Sequence, residues 1–253
     1  MDRFSYETGN TLLGNDRNAP ALEIIIPPLL QFTEDAYVVL TGAAYDKVIL
    51  KAETDNNAQQ TVPHATVVRV EKGNLLEFGV KQYGFRSYLC YLPANKTSKE
   101  ISGRSRGSFD ETFHWQDPEG LIRIMEGPEH RYLDDPALFS DNPWKVTQDV
   151  SEMGMRLSTD RQMPTVSLQN MVSEAVADGT VQLTPKGPII LLKHRQTVGG
   201  YPRIFNVISA DVDLLAQFTP SQIIRFRTVS IEEALSVARQ KNKDLESIRN
   251  RFD

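Results

Sequence analysis

The sequence predicts a mainly β protein, a barrel or sandwich with a few short helices and a C-terminal helix. Short apolar or alternating runs recur roughly every ten residues, as in closed or sandwiched antiparallel folds. Turn signals rich in Gly, Pro and Asn separate them, and the clearest helical patterns lie at the two ends of the chain. With 253 residues, 40% hydrophobic and 24% charged, and a mean hydropathy of −0.36, the chain can bury one large core or two smaller ones.

The elements follow in order. Asp2 is placed to cap a short helix that stops at Leu13-Gly14-Asn15. Strands are expected at Leu22–Ile26, Tyr37–Leu40, Lys47–Leu50, Ala65–Val70, Leu75–Val80 and Arg86–Leu92. The breaks are Pro27-Pro28, Asp55-Asn56-Asn57 and Lys72-Gly73-Asn74. Residues 93–119 interrupt the rhythm with polar and then small, basic sequence. A lobe boundary near residue 115 follows, giving an N-terminal β-rich lobe (1–115) and a second β-rich lobe (116–253). The second lobe opens with a β-like run, Leu121–Met125, leading to Gly127-Pro128. Tyr132–Phe139 reads as a short helix stopped near Asn142-Pro143, and Pro188–Leu192 and Ile204–Ile208 read as buried strands. Ser230-Ile231-Glu232-Glu233 is a capping box, and Leu235, Ala238, Leu245, Ile248 and Phe252 then share a helical face.

Composition excludes several classes of function. A net charge of −5 argues against a nucleic-acid partner, since binding phosphate needs a basic surface. No apolar run approaches the ~20 residues that span a bilayer. The N-terminus lacks the pattern of a leader, so the cytoplasm is the expected location. The single cysteine, Cys90, cannot form an internal disulfide and reads as a buried, inert thiol. His64, His114, His130 and His194 lack metal-ligand spacing, so no metal site is expected; P-loop, HExxH, GxSxG and GxGxxG motifs are absent.

Chemistry concentrates in His194-Arg195-Gln196-Thr197-Val198-Gly199-Gly200-Tyr201-Pro202-Arg203, between two apolar runs. Arg195 offers a fork for a carboxylate or phosphate. Gly199 and Gly200 permit positive φ or a close backbone approach to a ligand. The alternative is a decorated hairpin. Three further clusters each allow two readings. Gly103-Arg104-Ser105-Arg106-Gly107 is an anion-binding nest or an exposed basic loop. Arg86 lines a pocket or snorkels from its sheet. Asp211 is a catalytic carboxylate or the cap of a turn near Val212–Phe218.

Taken in order along the chain, these segments resemble the A and B type of biotin-dependent carboxyltransferase. This family is also called allophanate hydrolase subunit 2 or KipA, and it includes the C subunit of 5-oxoprolinase. Leu40-Thr41-Gly42-Ala43 is similar to its LTGA, Gly84-Phe85-Arg86-Ser87-Tyr88-Leu89 to GxRxYL, and Gly103-Arg104-Ser105 to its GSRS loop. Gly127-Pro128, Met153-Gly154-Met155-Arg156-Leu157, Ser173-Glu174-Ala175-Val176 and Gly179-Thr180-Val181-Gln182 match further motifs, and Arg195–Pro202 matches RQTxGGYP.

The resemblance implies two cyclophilin-like β-barrel lobes. It also implies a partner, the subunit 1 protein (KipI-like, of the C and D carboxyltransferase type), with a third 5-oxoprolinase subunit in the stand-alone bacterial type. The implied activity is ATP-dependent opening of 5-oxoproline to glutamate, on a small amide or lactam substrate. No cofactor is bound covalently and ATP enters through the complex. Carboxyl transfer from carboxybiotin to a urea-type substrate, or non-catalytic pairing with subunit 1, are the alternatives. On this basis Arg195, Gln196, Thr197 and Tyr201 are the candidate catalytic residues. Arg86, Gly103, Arg104, Ser105, Gly199, Gly200 and Asp211 are the candidate substrate-binding residues. The sequence departs from the family in three places. Of the family's N-terminal motifs only Met1-Asp2 matches, His194 stands where the family has Asp, and Tyr91-Leu92-Pro93-Ala94 replaces a glycine loop.

Overall fold

The computed structural model describes residues 1–52, 59–96, 120–167 and 171–252. The chain divides into two compact units, one of Asp2–Gln116 with Asn242–Asp253 and one of Met1 with Asp117–Lys241.

Among the described residues the first unit holds eight strands, β1 (Ala21–Ile24), β2 (Leu30–Gln31), β3 (Ala36–Tyr45), β4 (Val48–Lys51), β5 (Gln59–Thr61), β6 (Val68–Val70), β7 (Leu75–Phe78) and β8 (Lys81–Pro93). They form two four-stranded sheets, ordered β1-β8-β3-β6 and β2-β7-β4-β5. Alternation along β3 explains how the layers meet. Val38 and Leu40 point to a core shared with Val48, Leu50 and Leu76 of the other sheet. Val39, between them, points the opposite way and packs with Cys90, with Phe4 and Leu12 of helix α1 (Arg3–Leu12), and with Leu245 and Ile248. Asp2 caps α1 by accepting from the Ser5 amide at 3.1 Å. Gly14, at φ 71, ends it with its N–H on Thr11 O at 2.9 Å. Cys90 is buried, as expected, and its sulfur explains Gly9: a Cβ there would lie 2.6 Å from it.

The second unit is a closed barrel, ordered β10-β11-β14-β13-β16-β9-β17. Its strands are β9 (Leu121–Glu126), β10 (Trp144–Val150), β11 (Gly154–Ser158), β13 (Thr180–Thr184), β14 (Gly187–Leu191), β16 (Arg203–Val207) and β17 (Ile223–Thr228). A separate ribbon pairs β12 (Glu174–Ala175) with β15 (Val198–Gly199). Helix α2 (Ala137–Asp141) brings Phe139 into the core, where its ring lies 4.7 Å from Phe205, 4.8 Å from Phe226 and 5.0 Å from Trp144. The Trp144 indole N–H donates to Phe139 O at 2.8 Å, so the aromatic plug carries no unpaired indole. After the short α3 (Val212–Leu215) and β17, helix α4 (Ile231–Phe252) starts where the capping box places it, with the Glu233 amide on Ser230 Oγ at 3.2 Å.

The mainly β architecture with few helices and a C-terminal helix is thus the one the sequence predicts. One expected helix is different. Tyr132–Phe139 is a 3-10 turn (His130–Tyr132), an extended Leu133 bridged to Val166, and then α2. Pro136 is the reason, because a residue before proline is pushed out of helical geometry. Among the described residues, no helix is long and apolar enough to cross a membrane.

Candidate functional site

The segment 194–203 is not a hairpin. β14 and β16, on either side of it, are both antiparallel to β13 and do not pair with each other, so the chain must cross back along the face of β13. On the way it forms β15 and pairs with β12, Val198 opposite Ala175 and Gly199 opposite Glu174. This crossing raises a crest of polar side chains on the barrel surface.

Along the crest, His194 lies 3.2 Å from Glu152, and both are exposed. Arg195 Nε lies 3.1 Å from Asp178, with the arginine side chain 21% exposed. A guanidinium in that position is already balanced by a carboxylate. Gln196, Thr197, Gly200 and Tyr201 are exposed, and the side chains of Gln196, Thr197 and Tyr201 make no hydrogen bond among the described residues. The groups left open to a ligand are therefore uncharged: an amide, two hydroxyls and the Gly200 main chain.

The glycines serve a different purpose from the one expected. Neither Gly199 nor Gly200 has positive φ. Gly199 makes a close approach instead, since a Cβ there would sit 2.5 Å from Gln182 Nε2 and that side chain would have to shift. The partner it approaches is this side chain of its own barrel. Gln182 also donates to Tyr201 O at 3.0 Å. Beside it, Arg203 places Nε and Nη2 each 2.8 Å from the two Glu129 oxygens, and Nη1 2.8 Å from Ala175 O. Arg203 Nη2 also meets Glu174. This guanidinium holds the Glu129 carboxyl below the ordinary carboxylate range, the favourable contacts outweighing its burial.

Two other candidates have internal partners. Asp211 does not cap α3 with its side chain. It is buried and accepts from Arg123 N at 2.8 Å, Nε at 2.9 Å and Nη2 at 2.5 Å. Arg86 belongs to the first unit and does not snorkel. Its side chain is 2% exposed, lies 3.3 Å from Glu23 and packs over the Phe85 ring at 4.9 Å. Gly103, Arg104 and Ser105 lie outside the described residues. Sequence reasoning missed Glu129, Asp178 and Gln182. Gln182 and Glu129 had a faint signal, lying in or just after the motifs that begin at Gly179 and Gly127; Asp178 precedes Gly179 and carried none.

Residues 1–106 and 91–228 match the family model described as carboxyltransferase domain, subdomain A and B. The chain is 30% identical over 287 residues to the C subunit of 5-oxoprolinase from Haemophilus influenzae, covering 100% of this chain and 89% of that protein. It is likewise 30% identical over 280 residues to the corresponding 5-oxoprolinase C subunit of Escherichia coli, covering 98% and 87%. The crystal structure of Kluyveromyces lactis urea amidolyase superposes with a TM-score of 0.79 at 20% identity, over 98% of this chain and 18% of that one, a likeness of fold alone.

Proposed function

The chain belongs to the carboxyltransferase domain family, subdomain A and B, and from that premise we propose that it is a subunit of a 5-oxoprolinase-type complex. Its substrate is a small amide or lactam, opened in an ATP-dependent reaction with a KipI-like subunit 1 and a third subunit. ATP enters through the complex. The observation that carries the reading is the crest, whose unpartnered groups are uncharged hydrogen-bonding ones over a charge-balanced bed. In this reading the Gly200 N–H and the Tyr201 hydroxyl donate to the substrate carbonyl, where negative charge develops as the ring opens. Gln196 and Thr197 orient the amide N–H. Arg195 meets an anionic edge of the substrate only by sharing it with Asp178. Arg86, sealed against Glu23, and Asp211, held by Arg123, are left to structure.

A second reading rests on the same balance of charge. Arg195, Arg86 and Asp211 all have internal partners, as suits a protein that only binds subunit 1. One experiment separates the two. The purified chain is mixed with subunit 1 and the third subunit, and 5-oxoproline-dependent ATP hydrolysis is measured. Turnover that requires all three supports the enzymatic reading. Stable co-purification without turnover of 5-oxoproline, or of urea with carboxybiotin, overturns it in favour of the binding role.

A further inference from the structure

The crest has a foundation whose residues lie far from it in sequence. Where β13 meets β16, Val181 pairs with Phe205 and Gln182 with Arg203, leaving Ile204 as the extra residue of a β-bulge. The bulge lets Ile204 and Phe205 both face the barrel core, which plain alternation forbids. It also sets Gln182 and Arg203 opposite each other, beneath β15 and its partner. Gln182 holds Tyr201 O and fills the space under Gly199. Arg203 reaches the other strand of the ribbon, through Ala175 O and Glu174. Glu129 in turn fixes Arg203, through the Nε–Nη2 edge of the guanidinium and through the Arg203 main-chain N–H at 3.0 Å.

We propose that Glu129, Arg203 and Gln182 are positioning residues that set the height and orientation of the Gly199-Gly200-Tyr201 main chain, and so of the donors aimed at the substrate. The proposal rests on the functional reading above for its catalytic consequence, but its structural part stands without it. A two-point support of this kind removes freedom that the crest would otherwise lose at each turnover. Bidentate guanidinium–carboxylate geometry is directional enough to transmit a small displacement. Glu129→Gln keeps the shape and loses one charge-assisted contact. Arg203→Lys keeps the charge and loses the fork.

The test is hydrogen–deuterium exchange of the intact chain, paired with turnover in the reconstituted complex. In Glu129→Gln and Arg203→Lys, exchange in the peptide spanning 194–203 is expected to rise about tenfold while the core strands β13 and β14 stay protected. kcat should fall roughly tenfold to a hundredfold with KM little changed, the mark of an interaction made in the transition state. Wild-type exchange at 194–203 in both variants overturns the proposal, as does a rise spread evenly over the barrel, which would mean general stability. If either variant fails to fold, Gln182→Ala decides by the same exchange measurement, because it removes the second support and leaves the ion cluster intact. If the wild-type complex does not turn over, the functional reading fails while the exchange result still judges the positioning.

Discussion

Each unit contains a strand arginine tied to glutamate, and the two arrangements end differently. In the first unit Arg86 lies 3.3 Å from Glu23, which accepts from the Tyr88 hydroxyl at 2.6 Å. That hydroxyl in turn accepts from the Asp2 N–H at 2.7 Å, just where Asp2 caps α1. This chain of contacts ends in a helix cap, inside the unit. In the barrel, Arg203 and Glu129 lie beneath a crest whose side chains face outward. The same pair of residue types therefore ties a helix to a sheet in one unit and supports a candidate site in the other. A guanidinium has a functional reading only when what it holds in place is itself open to a ligand.

The largest expected effect is in the first unit. Arg86→Ala leaves Glu23 without its guanidinium and a void in a nearly sealed position, and should cost about 3 kcal/mol in denaturant unfolding. An unchanged midpoint would mean that the pair is idle. Tyr88→Phe comes next, at about 1–3 kcal/mol, since it removes the hydroxyl that meets both the Asp2 N–H and a Glu23 oxygen.

This variant also divides the two clusters by pH. Burial first, then Asp2 and Glu23, push the Tyr88 hydroxyl far above its usual 10.0. A raised folded value means that its contribution is complete below the unfolded value, about 10, and is lost as pH rises beyond it. Wild type should lose stability on that alkaline side more steeply than Tyr88→Phe. Glu129 behaves in the opposite sense. Its depressed folded value makes its contribution complete above the unfolded value, about 4.3, and lost as pH falls below it. The acid limb of the stability curve should flatten in Glu129→Gln, and the alkaline limb should flatten only in Tyr88→Phe. Identical limbs for both variants would erase the distinction. The smallest effect belongs to Ser230→Ala, about 1 kcal/mol from the lost cap of α4, readable as a small shift in melting temperature with the crest unaffected.

What was legible in the sequence follows from how far apart the cooperating residues lie. Contiguous features were readable: the Asp2 and Ser230 caps, the Gly14 stop, and the crest itself, which is one run of ten residues from His194 to Arg203. Strands β10, β11, β13 and β17 were not picked out. β13, for example, alternates as Thr-Val-Gln-Leu-Thr, but over only five residues, and its polar positions are as buried as its apolar ones. The partners that decide the chemistry were hidden for a related reason. Asp178 balances Arg195, Gln182 occupies the space under Gly199, and Glu129 fixes Arg203. Each meets its partner only after the barrel closes. The glycine pair shows the limit most clearly: its sequence suggested backbone freedom, while its geometry reflects a crowded neighbour.

In the proposed function the crest acts and the Arg86–Glu23–Tyr88 cluster only holds. The most direct measurement compares Tyr201→Phe with Tyr88→Phe in the reconstituted complex, recording 5-oxoproline-dependent ATP hydrolysis and melting temperature together. Tyr201→Phe is expected to lose roughly tenfold or more in turnover, as for a lost transition-state donor, at an unchanged melting temperature. Tyr88→Phe should melt lower and turn over normally while folded. Full turnover by Tyr201→Phe, or lost turnover in folded Tyr88→Phe, would contradict the proposed function.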